Sequence, residues 1–193
     1  MPPKAKFTKE QITEAALNII REEGMDNLTA RALGKKLGSS ACPIFTVFKN
    51  MEEVQTRVKN EARILYAEYV KRGLKETPAF KGVGMQYILF AIKEPKLFQL
   101  LFMSEQSQKP VMENVLPIIE DSYEEILLSV KNSFELNELE AEKLYRHLWI
   151  YTHGIAVLCA TNMCTFMPEE MGRMLTEVRV SVLNEIMRGR NND

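Results

Sequence analysis

Arg31, Lys35, Lys36 and Lys49 flank a run of small, hydroxyl-bearing and apolar residues, LTARALGKKLGSSACPIFTVF, from Leu28 to Phe48. Cations of this kind bind phosphate, and Thr29, Ser39, Ser40 and Thr46 add hydroxyls suited to phosphate oxygens or base edges. The chemistry implied is recognition of a polyanion. Leu28, Ala32, Leu33 and Leu37 recur at helical spacing, which leaves Arg31, Lys35 and Lys36 off the apolar face. Gly38 follows the last apolar residue, where a left-handed backbone can end the helix. Ser40 is then expected to cap a second helix, with Pro43 in its first turn, where a missing N–H costs nothing. Ile44, Val47 and Phe48 would face inward, leaving Ser40, Ala41, Cys42, Phe45 and Thr46 outward. Two short helices about a tight turn make a helix-turn-helix, whose second helix fits a DNA major groove.

From Thr29 to Val54 the chain resembles the DNA-binding segment of the TetR family of bacterial transcriptional regulators. The matching residues are Thr29, Arg31, Leu33, Gly34, Gly38, Ser40, Phe45, Phe48, Glu52 and Glu53, without a gap. The stretch from Ile12 to Gly24 is similar to that family's first helix, and Leu28 to the entry of its second. Three departures from the usual pattern occur, at four positions. Cys42-Pro43 stands for a frequent Gly-Thr, Phe45 for Tyr and Thr46 for His. The first two change the start of the second helix and remove a hydroxyl that can bond phosphate. Further on, Ala91 to Phe102 and the Trp149, His153, Gly154 set resemble a Trp-His-Gly type of carboxy-terminal domain found in part of the family. The resemblance implies a two-fold dimer whose paired heads read successive major grooves.

A basic head supports the phosphate reading. Residues 1 to 50 carry eight basic side chains against five acidic, in a chain whose net charge is −1. Phosphate contact by one end only fits this asymmetry. Lys4 and Lys6 form a short basic arm that either reaches DNA or is a plain terminus. At 193 residues, 46% hydrophobic and 26% charged, the chain suits a soluble globular protein of one or two domains. Its start, MPPKAKFTKE, lacks a signal-peptide core and no run matches a membrane span, so a cytoplasmic location is expected. Cys42, Cys159 and Cys164 are scattered and odd in number, which argues against disulfides. With His153 they match no common zinc spacing, and no metal or cofactor is implied.

The elements that must hold this surface read as helices throughout. Thr8 with Gln11 forms a capping box, and Ile12, Ala15, Ala16, Ile19 and Ile20 make one apolar face that ends at Gly24. Thr29 starts the next helix. Asn50 caps a long helix to about Leu74, with Glu52 and Glu53 favourably placed at its start. Segments near Phe80–Glu94, Pro95–Met103, Pro110–Phe134, Glu138–Met163 and Pro168–Arg188 follow, with Pro117 kinking or breaking its segment. No strand pattern is present. The fold class expected is all-α: a three-helix helix-turn-helix domain over residues 1–49, then an all-helical effector-binding and dimerisation domain over 50–193.

The expected function is a ligand-responsive transcriptional regulator, a repressor that binds a palindromic operator as a dimer and is released by a small apolar or amphipathic molecule. The alternative is a helical-bundle ligand carrier or enzyme without DNA binding. Catalysis is disfavoured, because His147 and His153 share no helical face and no nucleophile elbow or phosphate loop occurs. Candidate DNA contacts are Lys6, Thr29, Arg31, Lys36, Ser39, Ser40, Ala41, Cys42, Pro43, Phe45, Thr46 and Lys49. Phe90, Phe102, Met103, Tyr123, Trp149 and His153 are candidates for an adaptable ligand pocket, with ordinary core packing as the competing reading. A dimer surface is expected on the last two helices, through Ile155, Leu158, Met171, Met174, Leu175, Val178, Val182 and Ile186.

Overall fold

The computed structural model describes residues 6–104 and 110–191, so Lys4 of the basic arm lies outside the described residues. Nine α-helices account for most of them, and no strand occurs among them. In chain order these are α1 (Lys9–Glu23), α2 (Ala30–Lys36), α3 (Met51–Leu74), α4 (Ala79–Lys93), α5 (Pro95–Phe102), α6 (Met112–Ile119), α7 (Tyr123–Phe134), α8 (Glu138–Ala160) and α9 (Pro168–Arg190). The chain is therefore all-α. Its residues group into two compact units: Met1–Leu65 with Glu94–Ser104, and Tyr66–Lys93 with Glu105–Asp193.

Local capping chemistry fixes the helices of the first unit. The Thr8 hydroxyl accepts from the Gln11 N–H, and the Gln11 side chain accepts from Thr8 N–H, a complete capping box for α1. Gly24, at φ 90°, ends that helix as its position after the last apolar turn suggests. Ile12, Ala16, Ile19 and Ile20 are buried along one face of α1. Leu33, Ile44, Phe48, Val54 and Val58 are buried in the same unit. The unit also takes in α5, which packs against α1 from far along the chain. Leu97, Phe98 and Leu101 are buried there, and Arg21 forks onto Glu94 with bonds of 2.9 and 3.0 Å. A sequence boundary at 49/50 carries no sign of this return, because the α1–α5 pairing is long-range.

In the second unit α4, α7, α8 and α9 pack about a common core, with α6 against α7. Ile88, Phe90, Ile126, Val130, Leu144 and Ala156 are nearly or wholly inaccessible to solvent there. The expected Pro110–Phe134 segment divides into α6 and α7, with Glu120 in an extended conformation just past Pro117. Proline cannot donate to the preceding turn, which weakens α6 at its end. Asn137 and Glu140 form a second complete capping box at the start of α8.

A candidate nucleic-acid interface and an effector cavity

Between α2 and α3 the backbone makes one tight reversal. The Thr29 hydroxyl accepts from Ala32 N–H at 3.1 Å and so caps α2. Leu33 is wholly buried, while Arg31, Lys35 and Lys36 on the other faces are exposed. Gly38 has φ 63°, the left-handed conformation that ends the helix. Inside α2, a Cβ at Gly34 would lie 2.9 Å from the Ser40 carbonyl carbon and 3.0 Å from Ala41 N. The turn can close on α2 only because that position has no side chain.

The second segment of the motif differs from the expected helix. It is a five-residue 3₁₀ helix, Cys42–Thr46, whose N-cap is Ala41, and Ser40 makes no capping bond to it. Pro43 brings no N–H, and the Thr46 hydroxyl donates to the Pro43 carbonyl at 2.7 Å. The segment's bonds are of the i→i+3 kind, Ile44 N–H to the Ala41 carbonyl and Val47 N–H to the Ile44 carbonyl, both at 3.1 Å. Ile44 and Phe48 are buried as anchors, and Val47 is half-buried. Cys42 and Thr46 are exposed, and Phe45 retains 44% of its accessible surface.

Around this turn lie the other candidate contacts. Lys6, Thr29, Arg31, Lys36, Ser40 and Lys49 are exposed, whereas Ser39, Ala41 and Pro43 are half-buried. The Lys6 ammonium donates to the Ser39 hydroxyl at 3.1 Å, which holds that side chain against the motif. Lys36 is held by both Glu22 oxygens at 2.7 Å, so a phosphate must compete for it. Arg31, Lys35 and Lys49 make no ion pair among the described residues. Glu53 explains the acidic pair after the motif. Its carboxylate accepts from Lys49 N–H at 2.7 Å and from the Lys9 ammonium at 3.2 Å, and these bonds lower its pKa. Asn50 accepts in turn from Glu53 N–H at 2.9 Å, so the start of α3 is capped on both sides.

The second unit encloses a cavity of about 70 Å³. Its walls come from the last turns of α3 (Tyr66), from α4 (Lys81, Gly84, Tyr87), α7 (Ile126, Val130), α8 (Tyr145, Leu148, Trp149, Thr152) and α9 (Leu175, Arg179), with Glu120 from the α6–α7 break. Glu120 is 8% exposed. One of its oxygens accepts from the Tyr66 hydroxyl at 2.6 Å and the other from Ser122 N–H at 3.1 Å. Burial raises its pKa, against the opposing pull of those two bonds. Burial, with the Glu120 charge nearby, also pushes the Tyr66, Tyr87 and Tyr145 hydroxyls upward. All three stay neutral donors at ordinary pH.

Of the candidate ligand residues, Trp149 lines this cavity. His153 stacks on Trp149 at 5.0 Å and shares a 2.9 Å hydrogen bond with the Tyr87 hydroxyl, and burial lowers its pKa toward the neutral form. Tyr123 stacks on Tyr145 at 5.7 Å, behind the lining. Phe90 is wholly buried against Tyr66 and Tyr69, a core position. Phe102 and Met103 belong to the first unit, Phe102 against Phe98 and Met103 at the surface, and neither lines the cavity. Sequence reasoning missed Tyr66, Glu120, Tyr145, Thr152 and Arg179. Tyr66 and Glu120 had a signal: a bulky ring in a charge-rich helix and an acid closing the apolar run Leu116-Pro-Ile-Ile.

The candidate dimer residues divide as well. Ile155, Met171 and Ile186 are buried inside the second unit, where α8 packs on α9, so a partner chain cannot reach them. Leu175 faces the cavity, and Leu158, Met174, Val178 and Val182 are half-buried. The spacing of the stripe was real but its larger members face the helix's own body. Ile150 on α8 and Val180 and Met187 on α9 are the apolar side chains that remain exposed on these two helices together with Leu139. A comparison with models of known protein families finds no match for this chain, and a comparison with curated proteins finds none either.

Proposed function

We propose that this chain is a ligand-responsive transcriptional regulator that binds DNA through the first unit and a small molecule in the second. One observation carries the proposal. Around a glycine-dependent turn, Leu33, Ile44 and Phe48 are buried, while Arg31, Lys35, Lys49, Ser40, Phe45 and Thr46 are left outward, and Arg31, Lys35 and Lys49 make no ion pair among the described residues. Arg31, Lys35 and Lys49 supply phosphate contacts, and Phe45 and Thr46 supply contacts to sugar and base edges in the major groove. The TetR-like residue pattern of the same segment supports this assignment and implies a homodimer on a palindromic operator, acting as a repressor. No helix among the described residues is long and apolar enough to cross a membrane, which suits a cytoplasmic regulator.

Ligand and DNA would oppose one another through a coupling free energy that acts equally in both directions. Binding of the duplex that precedes the protein's own coding sequence, measured by fluorescence anisotropy over a salt series, tests the assignment. Tight, steeply salt-dependent binding supports it. The cavity alone equally fits a helical carrier or enzyme, and salt-independent or absent DNA binding would favour that second reading.

A further inference from the structure

The cavity wall holds ionisable groups with different needs. Both Glu120 oxygens already accept hydrogen bonds, from the Tyr66 hydroxyl and from Ser122 N–H. The cations in the wall are Arg179, which is half-buried, and Lys81, which is exposed to solvent. The Arg179 guanidinium lies 5.7 Å over the Phe134 ring, which is itself 5.3 Å from the ring of Phe80, next in sequence to Lys81. Arg179 Nε is buried and has no hydrogen-bond partner among the described residues. Neither cation makes an ion pair among those residues. A buried donor on a permanent cation is costly to leave unmade, and an acid is the group that satisfies it. Val83, Leu148, Leu175 and the Trp149 ring make much of the remaining wall apolar, with Thr152 and Thr176 among them.

We propose that the cavity binds a compact organic monoanion, with its acid group on Arg179 and Lys81 and its apolar body toward Trp149. Glu120 fixes the orientation, because a second negative charge beside it would be repelled. The proposal takes the cavity to be the effector site, but binding itself is measured without DNA, so failure of DNA binding leaves this test intact. Three matched sets serve as probes: hexanoate, octanoate and phenylacetate, each with its amide and its amine. Trp149, the one tryptophan of the chain, reports occupancy by fluorescence, and calorimetry gives the affinity. At least one acid should bind about tenfold to a hundredfold more tightly than its amide, the difference expected from a charge-assisted pair. Arg179→Gln should erase that preference while leaving the melting temperature of the free protein close to wild type, and Arg179→Lys should restore part of it. Acids no tighter than amides, an amine that binds best, unchanged preference in Arg179→Gln, or no binding by any probe would each overturn the proposal. If Arg179→Gln fails to fold, Lys81→Gln carries the same comparison, with a smaller loss of acid preference expected and an unchanged preference counting against the site.

Discussion

Gly34 lies so close to Ser40 that a single added carbon would stand 2.9 Å from the Ser40 carbonyl carbon. Ser39 N–H also donates to the Gly34 carbonyl at 2.9 Å, so the turn is bonded to the same residue it presses against. The helix gives up propensity at this position to let the turn close, and the closed turn sets where Phe45 and Thr46 emerge. Gly34→Ala gains up to about 1 kcal/mol of helix propensity but must displace backbone, and overpacking of this kind costs about 1–3 kcal/mol. We expect a lower melting temperature together with loss of DNA affinity. A variant that melts normally and binds normally would show that the turn tolerates the side chain.

Lys49 and Lys36 should differ in their contribution to DNA affinity. Lys49 makes no ion pair among the described residues, whereas Lys36 is held by Glu22 in the free protein. Lys49→Ala should therefore weaken binding to all duplexes and flatten the log–log salt slope by about one unit. Lys36→Ala should cost less affinity, since the release of Glu22 already offsets part of its phosphate contact. Anisotropy titrations across a salt series check both, and an unchanged slope in Lys49→Ala would contradict its placement.

Dimerisation is best probed at a position that the protomer itself does not bury. Val180 is 44% exposed on α9, while Val178 and Val182 are half-buried, so a charge there confuses folding with assembly. If the outer faces of α8 and α9 meet a partner, Val180→Glu should give folded monomers by sedimentation velocity, because an unpaired charge in an interface costs several kcal/mol, about 3–5. An intact dimer in that variant would move the interface elsewhere.

The capping rules that act within four residues were legible from the chain alone. Thr8 with Gln11, Thr29, Gly38 and Asn50 each sit where the sequence placed them, because a cap is decided by its own neighbours. The 3₁₀ form of Cys42–Thr46 was not, since apolar spacing over five residues fits an α turn and a 3₁₀ turn alike. Helical periodicity located the stripe on α9 but could not say whether Met171 and Ile186 meet their own body or another chain. Tyr66, Glu120 and Arg179 come from distant elements, and only the tertiary fold brings them to one cavity.

Arg190 reaches back from the end of α9 to Glu140, donating from Nε to Oε1 at 2.6 Å, and also bonds the Glu135 carbonyl at 3.1 Å. The bond from Arg190, with Asn137 N–H donating to the same carboxylate at 2.8 Å, holds the Glu140 pKa at about 2, against 4.5 for the free side chain. A carboxylate whose pKa falls on folding stabilises the fold above its unfolded value and loses that contribution as pH drops through the folded one. The melting difference between wild type and Arg190→Gln should thus be full above pH 4.5 and shrink to a small remainder near pH 2. A difference that stays constant across this range would mean that the charge pair contributes nothing.

Selection of bound sequences from a random duplex library tests the DNA-binding assignment most directly, because it assumes neither operator nor effector. The purified full chain should enrich a two-fold symmetric sequence whose half-sites are separated by about one helical turn or a multiple of it. The same library selected with a Phe45→Ala, Thr46→Ala double variant should lose that enrichment, while the protein keeps its fold. Failure of the wild-type chain to enrich any sequence above the starting library, at low salt and without added ligand, would contradict a sequence-specific DNA-binding role.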